Sequence, residues 1–502
     1  MHADLSRWTF RPERHYSRVV VQQGRVSLDA DANAQASILL YYLRNLAADL
    51  IGEFGGPAAN EGFQITLPTG GDGKTFNIGV GHYYVDGLLC VAETNTEATT
   101  IDYLQQPDGY HQPDGYGALP PLWPSPDTNG FLVWLKVWER FISAVEDPDL
   151  REIALGLNAP DTAGRAKLVW QVLASPWPEA AGAPPRTSEG FYDASGPWAT
   201  AKPLLFAEPR GTLMAQAVTP QASTDVCTLS PSSGYRGPEN QLYRVEIHQD
   251  GDTSSTTAPT FSFSRDNGSV TAPITQIAGN VVSVTTLGRD PKLSIDVGNY
   301  VEIVDDAWAS EGTPGPSPRS GEPLHLVTAV DPVALTVTLE PAAAPKVGTH
   351  PSLHPYLRRW DQDQVLVTKA GLTIDSVDQA IDIVPGTWIG LEDGIQVQFS
   401  EGTYRAGDYW LIPARVITGD VEWPTDDQGN ALPLPPEGVR YHVAPLAVFY
   451  DIAAQPTDVR RQFTPATGVS LPAAQTSEEP SPAPAPRASR TPRASRSAGK
   501  TS

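Results

Sequence analysis

Proline and glycine interrupt this chain so often, at 91 of 502 residues, that few stretches can carry a helix of several turns. Charged residues make up only 19%. Between the interruptions stand short runs that alternate apolar and polar residues or are apolar throughout. That pattern predicts a mainly β protein of short strands joined by turns. The length suits two to four domains. The expected layout is a small α+β N-terminal hairpin–helix docking unit over 1–66 and a β-rich domain over 67–205. A second β-rich domain, sandwich- or barrel-like, follows over 206–450. A linker and a disordered Pro/Ala/Ser/Arg tail close the chain over 451–502.

One window escapes the punctuation near the start. Ile38, Leu39, Tyr42, Leu43, Leu46 and Leu50 recur mostly at spacings of three and four, which predicts a helix over 32–51 with one apolar stripe, stopped by Gly52. Before it, Val19–Val21, the turn Gln22-Gln23-Gly24, and Val26 with Leu28 predict a short hairpin. Asp29 or Asp31 is then the expected helix N-cap. Asp29, Asp31 and Asn33 also open the D-x-D-x-N pattern of a calcium loop, but Ala34 stands where that loop needs glycine and Leu40 where it needs a bidentate glutamate. No metal or cofactor site is expected there.

Further strands follow. Phe76, Ile78 and Val80 alternate, as do Tyr83, Val85 and Leu88 around an Asp86-Gly87 hairpin turn. The run FLVWLKVW, 131–138, predicts a strand buried on both faces. A short helix is expected near Asp149–Leu157, a strand over 169–173 and a proline-rich connector over 176–204. RVEIH (244–248), FSFSRDNGSV (261–270, with an N-G hairpin turn), VVSV (281–284), YVEIV (300–304) and LTVTL (335–339) read as strands of the second domain. TWIGLEDGIQVQF (387–399) reads as a hairpin turning at Asp393-Gly394, DYWLIPAR (408–415) ends it, and 439–449 is a last apolar segment. QPDGY occurs twice, at 106–110 and 112–116. It is either a contact loop with exposed tyrosines or a duplication in a tolerant loop.

The net charge is −23. The tail from Thr464 is +3, so the remainder is −26, which repels phosphate backbones and argues against nucleic-acid binding. Two cysteines, Cys90 and Cys227, fit buried thiols in a reducing compartment. There is no apolar signal-peptide core and no run long enough to span a bilayer. The expected location is cytoplasmic, in an assembled particle that leaves the cell, if at all, by lysis or a dedicated route.

Chemistry-bearing motifs are absent. There is no HExxH, CxxC or GxSxG. His350 and His354 share HPSLHP, where prolines deny them one helix face. Gly73-Lys74-Thr75 imitates a phosphate loop but has Pro68 where the opening glycine belongs. Asp305-Asp306, Glu392-Asp393 and Asp250 with Asp252 read as solvated turn acids. Trp308, Trp360, Trp388 and Trp410 read as β-core aromatics, with a sugar-stacking platform as the alternative. No catalytic residue is assigned.

The N-terminal run DLSRWTFRPERHYSRVVVQQGRVSLDADANAQ resembles an uncharacterised domain family encoded with phage-tail-like, extracellular contractile injection systems. Asp4, Ser6, Arg7, Phe10, Pro12, His15, Tyr16, Ser17, Val19, Gln22, Gln23, Gly24, Arg25, Val26, Leu28, Asp29, Ala30, Asp31, Asn33 and Gln35 carry the likeness. Ala34 departs from the usual glutamate. ENQLYRVEIH, FSFSRDNGSV, YVEIVDD and GTYRAGDYWLIPAR look similar to that family as well, so the resemblance covers most of 4–450 and leaves out the tail.

The resemblance implies a structural, non-enzymatic virion-like component, at or attached to the baseplate. Its partners would be baseplate, sheath or tube proteins. Arg7, Trp8, Phe10, His15, Tyr16 and Arg25 are the docking candidates, since they combine aromatic anchors with arginine. Internal packing of the same residues stays open. The alternatives are a tail-fibre-like receptor or glycan-binding protein at a target-cell surface, or a carbohydrate-cleaving enzyme.

Overall fold

The computed structural model describes residues 1–464 except 69–74, 95, 111, 118–129, 157–160, 219–233, 256–257, 289, 291, 312–321, 344–345, 363–373, 376 and 451–453. The tail, Cys227 and the Gly73-Lys74 dipeptide lie outside the described residues. The protein is mainly β, as its punctuation predicts, and its strands form three assemblies.

The first is built on the two-sided apolar strand, Phe131–Ile142. It pairs antiparallel with Arg165–Pro176 along its whole length and with His442–Phe449 on its other edge. Period-two geometry sends Phe131, Val133, Leu135 and Val137 into one core. Leu132 and Trp134 enter another, with Trp177, Phe191, Trp198 and Phe206. The first core is shared with a sheet of Gln462–Phe463, Phe54–Pro57, Gly81–Val85 and Leu88–Ala92. Asp86 and Gly87 join the last two of these strands with φ of 47° and 76°, the two positive values a type I′ turn needs. Cys90 is buried in this core, and burial pushes its thiol up.

The second assembly is a five-stranded sheet whose middle strands are Thr260–Ser264, Gln241–Gln249 and Tyr409–Arg415. It packs on a three-stranded sheet containing Leu213–Ala217 and Ile395–Phe399. The third is a closed barrel of six strands: Thr271–Ala278, Val281–Val284, Thr336–Glu340, His325–Asp331, Tyr300–Val304 and Tyr356–Trp360.

Several expectations need correction. The boundary at 450 fails, because His442–Phe449 belongs to the first assembly and the Thr457–Asp458 strand pairs with it. The 1–66 unit is not separate either, since Phe54–Pro57 pairs with Gly81–Val85 and runs parallel to Gln462–Phe463. No hairpin forms over 19–28; only the turn does, with Arg25 N–H donating to Gln22 O. The helix near Asp149–Leu157 is instead two single 3-10 turns, Pro148–Leu150 and Ile153–Leu155. The proline-rich connector contributes a helix, Pro197–Leu205, and three buried aromatics. Tyr409–Arg415 pairs with Gln241–Gln249, not with the 389–399 hairpin.

The Asn267-Gly268 turn forms with φ of 52° and 65°, yet its flanking strands do not pair. Thr260–Ser264 stays in the open sheet while Thr271–Ala278 enters the barrel, so the turn hands the chain from one assembly to the next. The QPDGY repeat does not present exposed tyrosines: Tyr110 is half-buried and Tyr116 is buried. Gln106 bonds both ways with Val172, and Tyr116 donates to Asp305. The two copies thus bridge the first sheet and the barrel. Asp305 and Asp306 are buried. Asp305 accepts from the Trp308 and Gly348 backbones, and Asp306 pairs with Arg140 and His354. They are not solvated turn acids, and neither is Glu392, which pairs with Arg265 at 2.7 Å. Trp308, Trp360 and Trp410 are core residues.

Candidate functional site

The least satisfied surface is at the start of the chain. Its base is fixed where the second assembly meets the barrel. His2 Nε2 lies 2.9 Å from Glu246 Oε2 and meets Trp360 edge-on, and Asn267 Nδ2 donates to the Ala3 carbonyl at 2.7 Å. Burial, with Arg244 beside it, holds the His2 imidazole well below its ordinary value. Arg415 donates to the Ser6 carbonyl and shares Glu422 with Arg7.

Beyond Ser6 the chain lies against helix α1, Asp29–Ile51. Ser6 donates from both its backbone and its hydroxyl to Asp29. Burial alone would raise the Asp29 carboxyl, but these bonds outweigh it and hold the group below its usual value. Phe10 meets Tyr41 at a tilt, with ring centroids 5.7 Å apart, and Val19 N–H donates to Gln35 Oε1 at 2.8 Å. The helix N-cap is Leu28. Asp29 sits at the first helical position and Asp31 at the third, where its carboxylate reaches back to the Leu28 N–H at 3.4 Å. Asp31 thus performs half of a capping box from inside the helix, and the cap residue contributes no side-chain acceptor.

The docking candidates divide into two groups. Arg7, Trp8 and Phe10 are half-buried in the arm's own attachment. His15, Tyr16 and Arg25 are exposed, with Val20, Val21 and Val26 beside them. The arm from 1 to 28 carries five arginines against Asp4 and Glu13 on a chain of net −23.

The apolar stripe of α1 does not face the core. Ala30 and Ile38 are buried, while Leu39 is 58% exposed, Leu43 62%, Leu46 56% and Leu50 77%. Helix α1 sits on the protein through its other side: Arg44 forms a bidentate pair with Glu139, at 2.7 and 3.1 Å. Of the 23 exposed large apolar side chains among the described residues, 12 lie within 16–50. Such a concentration marks an interaction surface. The spacing was visible in the sequence. Which side of the helix met the core was not, because that depends on where Glu139 and the Asp86-Gly87 turn lie in the fold.

Elsewhere, buried acids are held by arginines. Burial pushes Glu392 and Asp408 up to about 7 and Asp266 to about 6, against Arg265, Arg405 and Arg359. Two cavities accompany them. One is water-sized, about 10 Å³, and touches Glu246, His248, Glu302 and Trp360. The other is an open polar groove of about 380 Å³ beside Asn60, Glu61, Gln64 and Arg460. None of these three lines either one, whereas Glu61, which burial also raises, lines the groove. His350 and His354 pair with different carboxylates, Asp114 and Asp306. No cluster of three metal-ligating side chains occurs among the described residues. No helix among them is long and apolar enough to cross a membrane.

Comparison with the curated proteins and with the solved structures finds no match. A family of unknown function, DUF6519, matches over residues 1–177 and 204–502. The match omits most of the proline-rich connector and runs through the tail, which the resemblance read from the sequence left out. The chain belongs to this family of unknown function, DUF6519.

Proposed function

We propose that the protein is a structural, non-enzymatic component of a larger particle, attached through its N-terminal arm. The likeness of that arm to proteins encoded with phage-tail-like contractile injection systems points to such a particle, at or beside its baseplate. One observation carries the docking reading. The arm is fixed at its base by His2, Ala3 and Arg415, yet presents Tyr16, Val20, Val21, Val26 and Arg25 to solvent. An anchored, exposed, apolar and basic segment on an acidic protein suits a partner surface that is apolar and ringed by acidic groups.

The test is co-sedimentation of the full chain with purified particles. The variant Tyr16→Asp/Val20→Asp/Val21→Asp/Arg25→Glu alters only exposed side chains, so the fold is expected to persist. The variant should stay in the supernatant while the unaltered protein pellets. Equal pelleting of the two would refute docking through the arm.

A further inference from the structure

We infer that the outer face of α1 pairs with α1 of a second copy of this chain, antiparallel about a two-fold axis. The exposed leucines stand at 39, 43, 46 and 50, at successive spacings of four, three and four. At 100° per residue they occupy an arc of about 60°, the narrow seam of a coiled-coil a/d pattern. Among the described residues nothing covers that seam.

The spacing also says what covers it. Four-three-four reads the same in both directions. An axis between residues 43 and 46 therefore sets Leu39 against Leu50 of the other copy and Leu43 against Leu46. A two-fold interface must be complementary to itself in this way, whereas a foreign helix requires no such symmetry.

The flanks agree. On one side of the seam stand Leu40 and Ala47, which the axis brings together. On the other stand Tyr42 and Asp49, and antiparallel pairing places each Tyr42 hydroxyl beside the other copy's Asp49 carboxylate. Parallel pairing would set Tyr42 against Ala47 and leave Asp49 facing a position past the helix end at Ile51. The helix's only cation, Arg44, is engaged with Glu139 on the opposite side, so it sets no like charges against each other. Each helix start, with its arginine-rich arm, is carried toward the acidic body of the other copy, and the opposed helix dipoles favour the same arrangement. The contact is short, so association at about micromolar concentration is expected. The pairing uses residues other than the exposed docking residues of the arm and does not rest on that reading.

Sedimentation of the full chain from about 1 to about 100 µM tests the proposal. The mass should rise from 53.9 kDa toward twice that value. Leu43→Glu/Leu46→Glu, both at exposed positions, should remain folded by circular dichroism and stay monomeric throughout. Orientation is tested by oxidation in a Cys227→Ser background. Leu39→Cys/Leu50→Cys should cross-link into a covalent dimer, and Leu39→Cys alone should not, because the axis puts the two copies of residue 39 at opposite ends of the contact. Three results overturn the proposal: a monomer at the highest concentration, a dimer unaffected by the glutamates, or equal cross-linking by Leu39→Cys alone. A monomer that still pellets with particles would end the pairing proposal while leaving the docking reading standing. A dimer whose arm variant fails to release would do the reverse.

Discussion

Tyr116 donates its hydroxyl to both carboxylate oxygens of Asp305, at 2.9 and 3.0 Å, across 189 residues of chain. Tyr116 ends the second QPDGY copy and Asp305 caps the short helix Asp306–Ser310 on the barrel. One buried bond therefore ties the first assembly to the barrel. Tyr116→Phe keeps the ring and removes the donor. It is expected to cost about 1.5–3 kcal/mol, as for a hydrogen bond to a buried charged group. Urea denaturation checks this; a change below about 0.5 kcal/mol would show that the bond does not join the two units.

The orientation of α1 has a simple signature. Ile38→Ala empties a buried site and should cost about 2–4 kcal/mol. Leu39→Ala, one residue on, should change monomer stability by no more than about 0.5 kcal/mol. Thermal unfolding well below micromolar concentration isolates the monomer. If the two substitutions cost the same, the helix is rotated from the position described.

Gly87 holds the helix in place. Its φ is 76°, and a Cβ there would lie 2.1 Å from the Arg44 carbonyl oxygen. Gly87→Ala therefore strains the turn and pushes the helix away together. The expected loss exceeds about 1 kcal/mol, and hydrogen exchange should rise across 38–51 first. Uniform exchange along the chain would count against this seat.

Much of this was readable beforehand, and the failures share a cause. Asp86-Gly87, the two-sided Phe131–Ile142 strand and the Gly52 helix stop are local patterns, and each formed where the sequence placed it. Asn267-Gly268 made its turn but not its hairpin, since pairing is decided by strands far away in sequence. The leucines of α1 were legible as a stripe, whereas the direction the stripe faces is a tertiary fact. Asp305 and Asp306 looked like surface acids because their partners, Tyr116 and Arg140, lie well over a hundred residues upstream.

Two buried acids make a contribution to stability that falls as pH rises toward neutrality, opposite in sign to that of the buried Met1 ammonium and His2, whose proton affinities burial lowers. Glu392 and Asp408 bind protons more tightly in the fold than in the unfolded chain, at about 7 against 4.5 and 3.8, because burial disfavours their charged forms. This contribution is complete below the unfolded values and disappears as pH passes through about 7. The difference in urea midpoint between about pH 5 and about pH 8 should therefore change in Glu392→Gln, the variant gaining on the unaltered protein at the higher pH. An unchanged difference in that variant would assign the effect to other groups.

The pairing of Phe131–Ile142 with His442–Phe449 has a consequence for biosynthesis. A ribosome delivers the first of these strands long before the second. At about 5–20 residues per second the wait is on the order of tens of seconds. Throughout that interval one edge of this long, largely buried strand is open, while the inserted barrel and sheets can already assemble. An assembly begun early in synthesis is thus the last to be finished, and a holdase chaperone would find its substrate there.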